Sequence, residues 1–218
     1  SKYLLRHKNN ITQIEALLFG QAGFLNKNIP DDNYYQKLKS EYKFLKRKFN
    51  LSPIDHHIWK FLRLRPRNFP TIRLAQFWAL IYNSHRLFSK VIECKSIAQI
   101  RKYFTISTSG YWNNHYIFGK ESCEEVKSIG DSAFNIIVIN TIIPFLFAFG
   151  RYNGKDELKE RIIGFFSEIP AENNSIIRKW SNLGIISKCA LHSQALLQLK
   201  NQYCSHKAGD GLRSWCPP

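Results

Sequence analysis

Apolar residues recur at helical spacing through almost every segment of this chain, and that period constrains its fold more than any other feature. Tyr34, Tyr35, Leu38, Tyr42, Leu45 and Phe49 share one face of a helix, with Lys37, Lys39, Lys43, Lys46, Arg47 and Lys48 around the rest. Ile11, Ile14, Leu17, Leu18 and Leu25 repeat the spacing, as do Leu74, Phe77, Trp78 and Ile81. No period-two alternation persists anywhere. Helical stripes are buried best against other helices, so the expected fold is mainly α. We expect a single multi-helix domain over residues 1–204, a short irregular or hairpin segment near 105–119, and an irregular tail at 205–218.

Proline, glycine and capping residues set the expected boundaries. Pro30-Asp31-Asp32 starts the basic helix, with carboxylates at its positive end. Ser52-Pro53 is expected to start a helix towards Leu62, and Pro70 suits the first turn of the next. That next helix is expected to bury Leu74, Phe77, Trp78 and Ile81. Gly20 and Gly23 either let another helix come close or mark a bend. Further helices are expected at Ser96–Phe104, Asp156–Phe166, Ala171–Leu183 and Leu191–Tyr203. Ala133–Phe149 is the most apolar stretch, interrupted by Asn135, Asn140, Thr141 and Pro144. A membrane span needs about 20 apolar residues, so a buried central helix is expected there.

The 218 residues, 44% of them hydrophobic, suffice for a substantial core and argue against a disordered chain. The net charge of +16 is unevenly placed. Residues 1–110 hold 20 Lys and Arg against 6 Asp and Glu, whereas residues 111–218 hold 12 against 10. A basic half points to a polyanionic partner or to a lysine-rich soluble surface. Five dispersed cysteines fit a reducing, cytoplasmic setting rather than a disulfide framework. The chain starts in mid-pattern at Ser1 and contains no Met, so we expect it to be part of a longer protein.

The densest chemistry lies in Phe61-Leu-Arg-Leu-Arg-Pro-Arg-Asn-Phe-Pro-Thr-Ile-Arg73. In an extended strand, Arg63, Arg65 and Arg67 would point the same way. Arg73 and Gln76 lie one turn apart on the following helix, near its positive N-terminal end. Guanidinium groups bind phosphate through paired N–H donors. These five residues are the candidate anion site, unless the arginines pair with the protein's own acids. A possible additional site is Trp112, Asn114 and His115, in a loop that combines aromatic, amide and imidazole groups. Tyr34, Tyr35, Tyr42 and Trp59 are either core residues or stacking platforms for bases. Glu124-Glu125 and Asp156-Glu157 are expected to complement helix dipoles.

No metal site is expected. His56-His57 and His85 lack zinc-binding spacing, and Cys204, His206 and Cys216, even with Cys189 or His192, fit no standard template. Phosphate loops, dinucleotide fingerprints and nucleophile elbows are absent, and no cofactor is expected.

The chain resembles a family of unknown function, DUF2851. The resemblance runs from about Leu4 to Cys204, through Gln13-Ile-Glu-Ala-Leu-Leu-Phe-Gly-Gln-Ala-Gly-Phe-Leu25, Tyr42-Lys-Phe-Leu-Lys46 and Phe61 to Gln76. It continues through Asn140-Thr-Ile-Ile-Pro-Phe-Leu-Phe-Ala148 and Ser193-Gln-Ala-Leu-Leu-Gln-Leu-Lys-Asn-Gln-Tyr-Cys204. The resemblance implies a bacterial protein, mainly from Bacteroidetes, of which this is the C-terminal part. It also implies further cysteines soon after Cys204 in a Cys-x-x-Cys arrangement, whereas the chain runs on to Cys216-Pro-Pro. It brings no activity.

The functional expectation is a helical accessory domain that binds nucleic acid or another phosphate-bearing polyanion through residues 37–73, where 11 basic residues face 2 acidic ones. Alternatives are a structural domain packed on a missing N-terminal domain, and a phosphate-handling enzyme using His115. No membrane partner is expected.

Overall fold

Ile11–Gln21 (α1) and Asn33–Phe49 (α2) cross where Gly20 meets the ring of Tyr42. The computed structural model describes residues 11–84, 86–108 and 110–204, and it is mainly α-helical. The expected tail at 205–218, with His206 and Cys216, and His85 lie outside the described residues, as does the side chain of Cys204. The α carbons cluster into two compact units. One is formed by the chain up to Leu87 with Tyr103–Ile129, the other by Phe88–Lys102 with the chain from Gly130 onward.

In the first unit, Asp32 caps α2 by accepting from the backbone N–H of Tyr35 at 2.9 Å. Asn50 closes the helix in the left-handed region, with φ 47. Tyr35, Leu38, Tyr42 and Leu45 form the buried stripe, as their spacing predicts. They join Phe19, Leu25 and Trp112 in one core. Tyr35 and Tyr42 are therefore core residues and offer no face to a base.

The helix expected from Ser52 towards Leu62 is corrected to a single 3-10 turn at His56–Ile58. Its polar groups are spent on α1 instead. The amide of Ile54 donates to Gln21 O at 2.9 Å, and the Trp59 indole N–H donates to Ala22 O at 2.8 Å. Gly23, at φ +77, permits this approach, because a Cβ there would meet the carbonyl oxygen of Ile54.

Pro70–Asn83 (α3) starts on its proline, but its inward face is rotated from the expected one. Ile72, Ala75, Gln76, Trp78 and Ala79 are buried, while Phe77 is exposed and Leu74 and Ile81 are half-buried. Apolar residues lie on both sides of α3, so periodicity did not choose between them; packing of α1 on α3 puts Ile72 and Ala75 in the core. The short helix Gly110–Asn113 (α6) leads into a hairpin of His115–Ile117 (β1) and Lys120–Glu121 (β2), which starts in the segment expected to be irregular or a hairpin and ends just past it.

The second unit contains most of Leu87–Glu93 (α4) and of Ile97–Tyr103 (α5), then Asp131–Ile137 (α7), Ile143–Tyr152 (α8), Asp156–Glu168 (α9), Ser175–Asn182 (α10) and Ala190–Gln198 (α11). A π-helical turn, Val138–Ile142, joins α7 to α8 and is closed by Ile143 N–H donating to Val138 O. Pro144 accounts for it. Its ring would collide with the carbonyl four residues back, and the wider turn relieves that clash. The run Asp131–Tyr152 is 22 residues long, with mean hydropathy 2.0 over its most apolar 18 residues, long and apolar enough to cross a membrane by length and composition alone. Only 39% of its most apolar window is buried, so the expected buried helix has one open face, where Ile136, Phe145 and Phe147 are exposed.

Candidate functional site

The arginine run does not lie in an extended strand. Arg63 adopts φ 64, in the left-handed region, where a turn brings Leu64 N–H to Phe61 O at 3.3 Å. Pro66–Asn68 then winds into a 3-10 turn. The alternation that would align Arg63, Arg65 and Arg67 is thereby broken, because two successive turns rotate the side chains away from a common face.

The five candidate anion ligands meet different fates. Arg67 grips Glu125 with two nitrogens, one of them Nε at 3.2 Å from Oε2, and Glu125 also accepts from the Tyr116 hydroxyl at 2.8 Å. The Arg67 side chain is 71% exposed, so this pair is worth about 0–1 kcal/mol and serves to hold the turn in place. Glu125 thus tethers an arginine and not a helix start. Arg73 donates to Gln76 Oε1 at 2.9 Å and Asn68 Oδ1 at 2.7 Å, and burial pushes its pKa down. Gln76 is buried, and its amide donates to the carbonyls of Lys127 and Ser128 at 3.3 and 3.0 Å. Gln76 therefore has no donor left for an anion. Arg63 and Arg65 are exposed and make no hydrogen bond or ion pair with another described residue.

Phe61 and Phe69, at the two ends of the turn, meet edge to face at 5.1 Å and help to line a hollow of about 420 Å³. Phe24, Phe118, Ile29 and Ile117 complete its apolar wall, with Thr71, His56 and two cations, Lys27 and Lys120, beside them. Among the described residues no acidic side chain lines it. Sequence reasoning missed Lys27, Lys120, Phe24 and Phe118. They come from two distant segments, and no local pattern marks them.

Trp112, Asn114 and His115 are brought together, but the fold occupies them. Trp112 is fully buried and donates its indole N–H to Glu15 Oε1 at 3.0 Å. His115 stacks on Tyr111 at 3.9 Å, with Nδ1 3.0 Å from Tyr111 O and 3.1 Å from Asn114 Oδ1. None of their hydrogen bonds reaches an arginine of the 63–73 run. Beside them the buried Lys127 ammonium donates to the carbonyls of Trp112 and Asn113 at 2.5 and 2.6 Å and lies 4.3 Å from the Tyr116 ring. Burial pushes its pKa down. Among the described residues, no three His, Cys, Asp or Glu gather to hold a metal.

Glu15 makes a test of this buried network. Burial raises its carboxyl pKa, against the hydrogen bond from Trp112. A raised folded value means that its contribution to stability is complete below the ordinary value of 4.5 and is lost as pH rises through the folded value. Glu15→Gln keeps an acceptor for Trp112 and removes that titration. The variant should melt with the parent near pH 4 and above it at about pH 8. An unchanged gap between the two melting curves at both pH values would refute this account of Glu15.

A second hollow, of about 870 Å³ in the other unit, is lined by Lys95, Lys155 and Arg161 but also by Asp156 and Glu157, so two of its three positive charges are offset locally. Asp156 and Glu157 do sit in the first turn of α9, where they suit its dipole.

A family model described as a protein of unknown function, DUF2851, matches residues 1–175. No curated protein matches the chain. No solved structure matches it either. With most of its length matched, the chain belongs to the DUF2851 family.

Proposed function

We propose that this DUF2851 chain binds nucleic acid through the basic surface of its first unit, with Arg63 and Arg65 as its leading contacts. The observation that carries the reading is charge left unneutralised. Arg63 and Arg65 are exposed and unpaired among the described residues, while Arg67 and Arg73, tied to Glu125, Asn68 and Gln76, hold the turn that presents them. On the same unit, Lys37, Lys43, Lys46, Arg47 and Lys48 are exposed along α2. Point charges of this kind neutralise phosphates without reading bases, so sequence preference should be weak.

Fluorescence anisotropy of a labelled mixed-sequence oligonucleotide, repeated over a range of salt concentrations, tests the reading. Log affinity should fall steeply with log salt, by about 0.9 per phosphate neutralised on duplex DNA. Arg63→Ala with Arg65→Ala should weaken binding about 10-fold and flatten the slope by about 1–2 units. A flat salt response, or a double variant indistinguishable from the parent, would overturn it.

A second reading, docking on another domain of the same protein, draws on Ile54, Ile58 and Leu62, exposed in the same segment with Leu62 at 90%. It predicts binding to that domain that resists salt and is lost in Leu62→Ser.

A further inference from the structure

We infer that the phenylalanine-lined hollow beside Arg63 and Arg65 receives an unstacked nucleobase, so that the chain selects single-stranded over duplex nucleic acid. This rests on the nucleic-acid reading above and narrows it to a strand state. Three observations carry it.

The first is the wall. Phe61 lies edge to face with both Phe24, at 6.0 Å, and Phe69, at 5.1 Å, and these rings with Phe118 form an aromatic enclosure of about 420 Å³. That size is within the range of small-ligand sites, about 300–1,000 Å³, and aromatic faces accept any base with little regard to its identity. The second is the placing of charge. Lys27 and Lys120, with His56 beside them, are exposed members of a mostly apolar lining, and neither lysine is ion-paired with a described residue. Two lysines at one ring-sized hollow match a ligand that carries negative charge on both sides of a planar group, as one nucleotide within a strand does. A ligand with a single carboxylate would leave one of them unused. The third is continuity. Phe61 and Phe69 line the hollow, and the residues between them carry Arg63 and Arg65, so the same turn that closes the hollow presents the two unpaired guanidinium groups. In a duplex the bases are stacked and paired and cannot enter such a recess, whereas a single strand offers them freely.

The test compares three probes on the unmodified chain by anisotropy at one salt concentration: a labelled mixed-sequence 12-nucleotide single strand, its duplex, and a strand of the same length made of abasic units. The base-bearing strand should bind about 10-fold more tightly than either of the others, the stacking of a single base being enough for that difference. Phe61→Leu with Phe69→Leu keeps an apolar wall without the rings. It should bring the single strand down to the affinity at which the same variant binds the duplex. Equal binding of all three probes, with a steep salt response, overturns the hollow as a base site while the charge-based reading stands. Absence of binding to every probe overturns both. The probe comparison needs no variant, so poor folding of the double substitution does not blunt it.

Discussion

Asp32→Ala should destabilise the protein by about 3 kcal/mol, because one carboxylate there does three jobs. Its Oδ1 accepts the Tyr35 amide and caps α2. Its Oδ2 accepts the Tyr111 hydroxyl and, at 3.0 Å, the Gly119 amide of the hairpin turn. Loss of a cap costs about 0.5–2 kcal/mol, and loss of hydrogen bonds to a charged group adds about 1.5–3. The Tyr111 hydroxyl would then be left half-buried beside the stacked rings of Tyr34 and His115, at 4.1 and 3.9 Å from its own. Burial, reinforced by the Asp32 carboxylate, already pushes the Tyr111 pKa far up, so the phenol cannot answer the loss by ionising near neutral pH. Urea denaturation followed by tryptophan fluorescence reads the change. Asp32→Asn is the informative companion. Asn caps a helix about as well as Asp, but its amide nitrogen cannot accept from Tyr111 or Gly119, so roughly half of the loss should remain. If both variants stay within about 0.5 kcal/mol of the parent, Asp32 does not join α2 to the hairpin.

Gly20→Ala carries the second large effect, and here the sign is the test. In an ordinary helix interior the exchange stabilises by about 0.5–1 kcal/mol, since glycine is the poorer helix former. At Gly20 the added Cβ would overlap three ring atoms of Tyr42. That ring cannot swing aside. It is 5% exposed within the core, and its hydroxyl accepts from Gln21 Nε2 at 2.8 Å. Overpacking of this kind costs about 1–3 kcal/mol, which outweighs the propensity gain. Gly164, in the interior of α9, supplies the control, because a Cβ there meets nothing within 4 Å. Gly164→Ala should therefore raise stability by about 0.5–1 kcal/mol while Gly20→Ala lowers it. Smaller side chains at position 42 should soften the Gly20→Ala penalty, so a double cycle with Tyr42→Leu should be clearly non-additive. Two glycine variants that shift in the same direction would show that α1 and α2 do not touch at Gly20.

These two positions also show what could be read in advance. The α2 stripe was legible because Tyr35, Leu38, Tyr42 and Leu45 obey a local period and Asp32 precedes it as a cap, both properties of neighbours in sequence. The start of α3 at Pro70 and the hairpin near 115–121 were legible for the same reason. Where apolar residues lay on two sides, as in α3, the period could not say that Ile72 would be buried and Phe77 exposed. Where a segment had somewhere better to bond, as did Ile54 and Trp59 with the end of α1, a plausible helix gave way to a loop. Of the candidate anion ligands, the sequence supplied the arginines but not their partners. Glu125 is 58 residues from Arg67, and the carbonyls that occupy Gln76 are about 50 away from it.

The amino-acid order alone determined that this chain is helical, where most of its helices begin, and that its positive charge gathers in the first half. Those properties depend on intrinsic backbone preference and on periods of a few residues. Only the tertiary structure decided which arginines stay unpaired, that Trp112 and His115 belong to the fold, and that four phenylalanines and two lysines from separated segments enclose a hollow. Pairing and enclosure depend on which distant groups compete for the same donor or the same space, and that competition exists only once the helices have packed.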